Sequence, residues 1–378
     1  MPKKLKEIYK GKKVLVTGHT GFKGTWLTIW LTKLGADVAG FSLPELPTDP
    51  SNFDLSKVTE KIKDYRGDVR NIDELKKVID KHKPELIFHL AAQPILLRSY
   101  DEPRLTFETN AMGTVNMLEC VKESESVKAV VSITTDKVYK NNEWVWGYRE
   151  HDQIGDTDPY AASKAMAEHA IESYRKSFFI EGGLGDKRVA LAAARAGNVI
   201  GGGDFADFRI IPDCIRALMS DKPIEIRSPD SVRPWQLVLE PLSGYLVLGA
   251  KLLEEPNGGF DRAWNFGPLS TKGVKVKEIA DIMVNMWEKG EWKDVSKPGP
   301  KKESTLLMLD WTAALNYLNW RPVYDYKETI EELVSWFKEY AKQKDENEKN
   351  IDMYKTCSNH IDKYVKRAKE LEIDWAID

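Results

Sequence analysis

A short apolar run that ends in a glycine turn constrains this chain more than any other feature. Lys13-Val14-Leu15-Val16-Thr17 is bounded by glycines and reads as a buried parallel strand. Gly18-His19-Thr20-Gly21-Phe22-Lys23-Gly24 follows it. An amphipathic stretch from Gly24 to about Leu34 then stops at Gly35, the residue type that ends helices in a left-handed conformation. Parallel strands need crossover connections, so the remaining chain must supply strands joined by helices. It does. Ala36 to Phe41 reads as a strand, and residues 44–58, with Pro44, Pro47 and Pro50, as a loop. Asn71 to His82 reads as a helix, Glu85 to Ala92 as a strand, and much of 104–123 as a helix. Ala129 to Thr135 is a strand, Tyr160 to Phe178 a helix, and Arg188 to Ala196 a strand. This alternation predicts an α/β chain, a Rossmann-type doubly wound parallel sheet with right-handed crossovers.

The rhythm breaks after Asn198. Gly201-Gly202-Gly203 and the prolines at 212, 223, 229, 234 and 241 punctuate shorter elements. The expectation is a nucleotide-binding domain over 1–200 with a segment returning to the sheet near 235–265. A smaller mixed α/β substrate-binding lobe follows over 201–340, and a charged helical tail over 341–378. In that tail Ile361, Tyr364, Val365, Ala368 and Leu371 fall at helical spacing. A solvated helix is the plainer reading and a partner-binding helix the sharper one.

Composition excludes several classes. At 378 residues the chain can bury a large core. A net charge of -3 gives no basic footprint for nucleic acid or a membrane surface. Cys120, Cys214 and Cys357 are far apart and odd in number, which is neither a disulfide framework nor a metal-ligand spacing. No metal is expected, and a reducing cytoplasm fits best. No segment approaches the roughly 20 apolar residues of a membrane span.

The chemistry is carried by Thr134-Thr135-Asp136-Lys137 and by Tyr160-Ala161-Ala162-Ser163-Lys164. A Tyr and a Lys four apart share one helix face. The Lys164 ammonium is expected to lower the Tyr160 phenol from about 10. A phenolate can then take an alcohol proton while a cofactor takes the hydride. Asp136 as acid and Lys137 as base, side by side, suit a following elimination. In the glycine turn (Gly18, Thr20, Gly21, Phe22, Lys23, Gly24) the backbone can approach a pyrophosphate at a helix N-terminus. Its GxxGxxG spacing differs from the GxGxxG fingerprint, and a plain strand-to-helix turn is the alternative. Asp68, in Gly67-Asp68-Val69 at a strand end, can accept from an adenine amino group; otherwise it is a solvated turn residue. Leu90-Ala91-Ala92 leaves room for a flat cofactor. The acid that usually reads the ribose hydroxyls is missing, since that position is about Ser42, and no arginine replaces it. NAD is expected over NADP.

Larger segments carry a family resemblance. The glycine turn from Thr17, Thr135-Asp136-Lys137, Trp144-Val145-Trp146-Gly147-Tyr148-Arg149-Glu150 and Asp158-Pro159-Tyr160 with Lys164 belong to it. So do Arg195-Ala196-Gly197-Asn198-Val199-Ile200-Gly201-Gly202-Gly203-Asp204 and Arg233-Pro234-Trp235-Gln236. Together, from about residue 10 to 340, they resemble the CDP-glucose 4,6-dehydratases of the extended short-chain dehydrogenase/reductase superfamily. The resemblance implies NAD as cofactor and CDP-glucose as the nucleotide-sugar substrate, with oxidation at C4, loss of water across C5–C6 and hydride return to C6. It also implies a place in deoxysugar biosynthesis for lipopolysaccharide O-antigen.

The same resemblance gives residues their roles. Tyr160 takes the 4-hydroxyl proton with help from Thr135, Lys164 holds the nicotinamide ribose, and Asp136 protonates the leaving 6-hydroxyl. Lys137 stands where dTDP-glucose relatives carry a Glu base. Arg209 and Arg233 match phosphate-binding positions, and Asn198 and Asn265 match amide contacts to substrate. Gln93 falls where the sugar should be, and Trp144 and Trp146 either cover the core or close the pocket. The helices at about 104–123 and 160–178 resemble the pair that forms the superfamily's homodimer interface, though their apolar faces could equally be intrachain core. A 4-epimerase, a dehydratase of another nucleotide sugar and an idle dinucleotide-binding sensor are the competing readings.

Overall fold

The computed structural model describes residues 2–180, 183–184, 187–207, 209–270, 273–296 and 307–377. Seven strands form its central sheet: β1 (Lys13–Thr17), β2 (Asp37–Ser42), β3 (Lys63–Arg66), β4 (Leu86–His89), β5 (Ala129–Ile133), β6 (Ala190–Arg195) and β7 (Ala263–Asn265). Their order is β7-β6-β5-β4-β1-β2-β3 and every pairing is parallel.

Alternating side chains feed two different apolar layers, as the pleat requires. Val14 and Val16 of β1, Leu86 and Phe88 of β4, and Val131 and Ile133 of β5 enter one core. Leu15, Ile87 and Val130 enter the other. The first layer is completed by α1 (Phe22–Leu34), through Leu27, Trp30 and Leu31, and by an all-round apolar helix of residues 239–254. The second is completed by helices Ile72–His82, Gly113–Glu123 and Pro159–Phe178, here α2, α3 and α4. Buried on both faces, β1, β4, β5 and β6 read as continuous apolar runs and are visible in the sequence for that reason.

Local chemistry sets the helix ends. Gly35 caps α1 at φ +84°, and Asn71 caps α2 by accepting from the Asp73 and Glu74 amides. The helix expected over 104–123 is three pieces, Pro103–Phe107, a widened turn at Glu108–Met112, and α3. The segment expected to return to the sheet does so late. Leu239–Glu254 (α5) is a helix against the sheet, and only β7 enters it. The Lys3–Tyr9 helix and β3 were not foreseen.

The charged C-terminus is part of the core. Tyr326–Asn347 (α6) is followed by α7 (Tyr354–Glu370), whose Ile361, Tyr364, Val365 and Ala368 are buried in the first apolar layer. Lys33 of α1 bonds Asp362, and the Tyr364 hydroxyl donates to Glu240 at 2.6 Å. The solvated-helix and partner-helix readings both give way here, because the stripe is already covered by its own chain.

Candidate active site

Because all seven strands point the same way, their carboxyl ends line one edge. The order reverses between β1 and β4, and ligands of such sheets sit in the crevice that opens there. The glycine turn lies at this crevice. Gly18 has φ +73°, and a Cβ on it would come within 2.7 Å of the Ala91 amide. Gly24 packs α1 onto the turn, since a Cβ there would meet the Gly18 carbonyl at 2.1 Å. Gly21 differs from both: a Cβ there meets only the Gly18 carbonyl, at 3.3 Å, and otherwise reaches open space. Gly21 is also the N-cap of α1 and offers no side chain to the first amides. Uncapped N–H groups beneath an open glycine are what a bound pyrophosphate needs. The turn therefore fits a dinucleotide. Leu90, Ala91 and Ala92, half-buried just past β4, form the adjoining wall.

The turn's outer side is more committed. His19 is fully buried, with Nδ1 2.9 Å from the Ser42 hydroxyl and Nε2 2.8 Å from Asp64. Gly40 makes room for its ring. Burial holds the His19 imidazole below its usual pKa, though Asp64 acts to raise it. An acid stands on the neighbouring strand instead: Asp64 of β3 lies beside Gly40 across the ladder. The statement that no arginine stands there is corrected: Arg66 pairs with Ser42 in the register. Its guanidinium is held by Asp64 and by the Leu43 carbonyl. Asp68 likewise accepts from the Arg70 amide and guanidinium. Burial raises the Asp68 carboxyl, but the Arg70 hydrogen bonds outweigh it and hold it below the usual range. Val69 is buried against Gly113 and its carbonyl accepts from Asn116.

At the far side of the crevice the catalytic candidates converge. Asp158 caps α4 and places Tyr160 and Lys164 in its first two turns, both buried. Lys164 donates to the Ile133 carbonyl at the end of β5 at 3.3 Å. Past Thr134, Thr135 and Asp136 open a short helical turn. The Thr135 hydroxyl donates to Asp136 Oδ1 at 2.9 Å and is also the hydrogen-bond partner of the Tyr160 phenol. The Asp136 carboxylate lies directly over Gly197, where any Cβ would collide with it.

Electrostatics corrects one expectation. Burial pushes Tyr160 up to about 12; the Thr135 hydrogen bond and Arg209 act to lower it, and Asp136 to raise it. Relief therefore comes from Thr135 and Arg209 rather than from Lys164. Burial also pulls Lys164 down to about 8, against the attraction of Glu168. Lys23 reaches the same group of charges from the glycine turn and is pulled down to about 8, by burial and then by Arg209. Arg209 itself donates to Asp204 at 2.9 Å.

A closed network surrounds this open cluster. Glu168, one turn past Lys164, forms a buried two-pronged ion pair with Arg195, both bonds 2.9 Å. Thr134 donates to the same carboxylate. Arg195 continues to the Tyr139 hydroxyl at 2.7 Å, and Tyr139 to Asn265 at 2.8 Å. Asn265 then donates to the Tyr148 and Asp310 carbonyls. The substrate contact expected of Asn265 is thus corrected: fully buried, its amide is engaged on both sides and ties the 139–150 segment to β7. Gln93 is corrected likewise, since it donates to Thr106 and accepts from the Ile95 amide. Asn198 sits at φ +52°, with no hydrogen bond to its side chain among the described residues. Arg233 donates to the Val232 carbonyl on a short two-stranded ribbon with Val274–Lys275. Trp144 packs on Tyr148, ring centroids 5.1 Å apart, whereas Trp146 is 70% exposed. The sequence singles out Arg195 only as part of a motif, with no role, and signals Glu168 only by the Tyr160–Lys164–Glu168 spacing.

Among the described residues, no group of three His, Cys, Asp or Glu could hold a metal ion, and no helix is long and apolar enough to cross a membrane. The family profile described as GDP-mannose 4,6 dehydratase matches residues 15–184. The CDP-glucose 4,6-dehydratase of Salmonella typhimurium is 45% identical over 341 residues, which is 90% of this chain and 94% of that protein. The chain belongs to the CDP-glucose 4,6-dehydratase family. This family lies within the extended short-chain dehydrogenase/reductase superfamily. The CDP-paratose 2-epimerase of Salmonella typhi is a more distant relative, 24% identical over 86% of this chain and 98% of that one. Among solved structures, an epimerase from Methanothermobacter thermautotrophicus superposes with a TM-score of 0.77 at 24% identity, over 91% of this chain and 97% of the other. The dTDP-glucose 4,6-dehydratase of Bacillus anthracis, solved with NAD, gives 0.71 at 20% identity, over 89% and 98%. At those identities the likeness is one of fold.

Proposed function

We propose that this chain converts CDP-D-glucose to CDP-4-keto-6-deoxy-D-glucose and water with NAD as a recycled cofactor. The observation that carries the proposal is the Thr135 hydroxyl. It joins the phenol suited to alcohol oxidation and the carboxyl suited to dehydration, so both chemistries address one hexose. A 45% identical relative that bears this activity in its name supports the substrate assignment.

The residues divide the work as follows. The glycine turn and the uncapped start of α1 hold the pyrophosphate, with Lys164 on the nicotinamide ribose. Asp64, held by His19 and opposite Gly40 in the ladder, supplies the acid on the ribose side, and Arg66 is neutralised by it, which suits NAD. NAD supplies the hydride acceptor and later the hydride donor. Tyr160, with Thr135, receives the proton of the 4-hydroxyl. The 4-ketone acidifies the C5 hydrogen, Lys137 removes it, and Asp136 gives a proton to the departing 6-hydroxyl. A general acid or base of this kind contributes about 10²–10⁴ in rate. Arg209, Arg233 and Asn198 hold the nucleotide diphosphate. A homodimer through the α3 and α4 side accounts for the exposed Leu97, Tyr100, Met112 and Met166. Three free buried cysteines suit a reducing cytoplasm, and the product suits deoxysugar synthesis for O-antigen.

The test is incubation with CDP-glucose followed by alkali, which turns 4-keto sugars into a species with ultraviolet absorbance. The expected outcome is absorbance with CDP-glucose, and little with the dTDP, UDP and GDP sugars. No absorbance with any of the four overturns the proposal.

A further inference from the structure

One arm of the chain leaves the catalytic cluster after β6 and carries Arg209 at its end. It starts at Gly197, under the Asp136 carboxylate. Residues 199–200 pair with Gln236–Leu237, and Gly201-Gly202-Gly203-Asp204 follow. A Cβ on Gly201 would meet Val238 and the Phe22 ring at the start of α1, and the Gly202 carbonyl accepts from Trp26 of α1 at 2.8 Å. Phe205 then lies on the aromatic face of α6, with ring centroids 6.1 Å from Trp336, 5.6 Å from Phe337 and 5.4 Å from Tyr340. Its carbonyl accepts from Arg216 of the Ile210–Met219 helix at 3.1 Å. The arm is therefore seated firmly on both sides of Asp204.

Asp204 is buried, and both of its oxygens are engaged. Oδ1 accepts from the Ala206 amide at 3.2 Å, and Oδ2 from Arg209 Nη1 at 2.9 Å. Among the described residues, that is the only hydrogen bond of the Arg209 side chain. One corner of a planar fork is thus fixed, and its remaining N–H groups are left for a ligand. Burial acts to lower the Arg209 pKa, but the attraction and hydrogen bond of Asp204 outweigh it.

We propose that Asp204 is a positioning residue for the substrate: it holds Arg209 in the orientation that receives the nucleotide diphosphate. The inference rests on the reading that Arg209 contacts that diphosphate. Two effects of Asp204 oppose each other. Its negative charge disfavours nearby phosphates, whereas its hydrogen bond orders a long side chain before the ligand arrives. Ordering such a side chain on binding costs up to about tenfold in affinity. The Asp204 charge is already matched by the guanidinium it holds, so the ordering prevails.

The experiment is equilibrium binding of CDP and of cytidine, each alone, to protein loaded with NADH, by calorimetry. The readout is the factor by which CDP binds more tightly than cytidine. Damage to the base pocket or to the fold weakens both ligands and cancels in that factor. Arg209→Ala is expected to shrink it more than about tenfold. Asp204→Ala should shrink it about fivefold, and raise KM for CDP-glucose by a similar factor with kcat within about twofold. Added to Arg209→Ala, it should remove nothing further, because Asp204 acts through Arg209. Asp204→Asn keeps the shape of the side chain and should shrink the factor about threefold, so the test stands where the alanine variant does not fold. An unchanged or enlarged factor in the folded Asp204 variants, or a further loss in the double variant, overturns this inference and leaves the proposed function standing. A factor that Arg209→Ala does not move overturns the phosphate reading of Arg209 and the inference with it.

Discussion

Two groups of polar side chains flank the ends of β5 and β6, and they are built on opposite plans. In the first, Glu168, Arg195, Tyr139 and Asn265 bond one another in series, and every partner is a protein group. In the second, the side chains of Lys23, Lys137 and Asn198 have no protein hydrogen bond among the described residues, and Lys164 has one, to a backbone carbonyl. Both groups include residues from the same sequence motifs. Motif membership therefore does not separate framework from chemistry, whereas hydrogen-bond satisfaction does. A buried polar group with all its partners is doing structural duty; one left open in a crevice is waiting for a ligand.

This contrast predicts that substitutions in the two groups damage different observables. The largest effect falls in the open group. Tyr160→Phe should lower turnover about 10³-fold or more while the melting temperature barely moves; product formation and a thermal melt check both halves. A large loss of stability would place Tyr160 in the framework instead. The next largest falls in the closed group. Glu168→Gln breaks a buried ion pair and should cost about 3–5 kcal/mol, read by denaturant unfolding. Near-native stability in that variant would dissolve the distinction.

Lys137→Ala is expected to slow turnover about 10²-fold. It should block solvent exchange at C5 and spare oxidation at C4, observed as retained NADH formation; exchange that persists would remove Lys137 as the base. The smallest and sharpest contrast sets one amide against another. Asn265→Ala should cost about 1–2 kcal/mol of stability through unmade buried hydrogen bonds. Asn198→Ala should leave stability nearly alone and raise KM a few-fold. Equal behaviour of the two would show that hydrogen-bond satisfaction does not sort the site.

Much of this was legible before any coordinates. The apolar strands and their glycine stops located the sheet, because strands buried on both faces leave an unbroken signal. Tyr160 and Lys164 were legible because their relation is local, one helical turn. What was not legible depends on register and on distant chain. Asp64 reaches His19 through the pairing of β2 with β3, and nothing in the spacing announces that. Arg195 lies 27 residues beyond Glu168 and meets it only because β6 runs beside β5. The tail misled for the opposite reason: its charge is real but faces outward, while its apolar stripe covers α1. Asn265 and Gln93 were assigned to substrate by motif, and three-dimensional neighbours claimed them first.

In the proposed reaction one hexose is oxidised, dehydrated and reduced again without leaving the site. CDP-glucose carrying deuterium at C4 follows that sequence, with the product read by mass spectrometry and proton NMR. The deuterium is expected to move to C6 of the 4-keto-6-deoxy product and to be retained there within the same molecule. Deuterium found still at C4, on an inverted sugar, or lost to solvent with no 6-deoxy product, would contradict it.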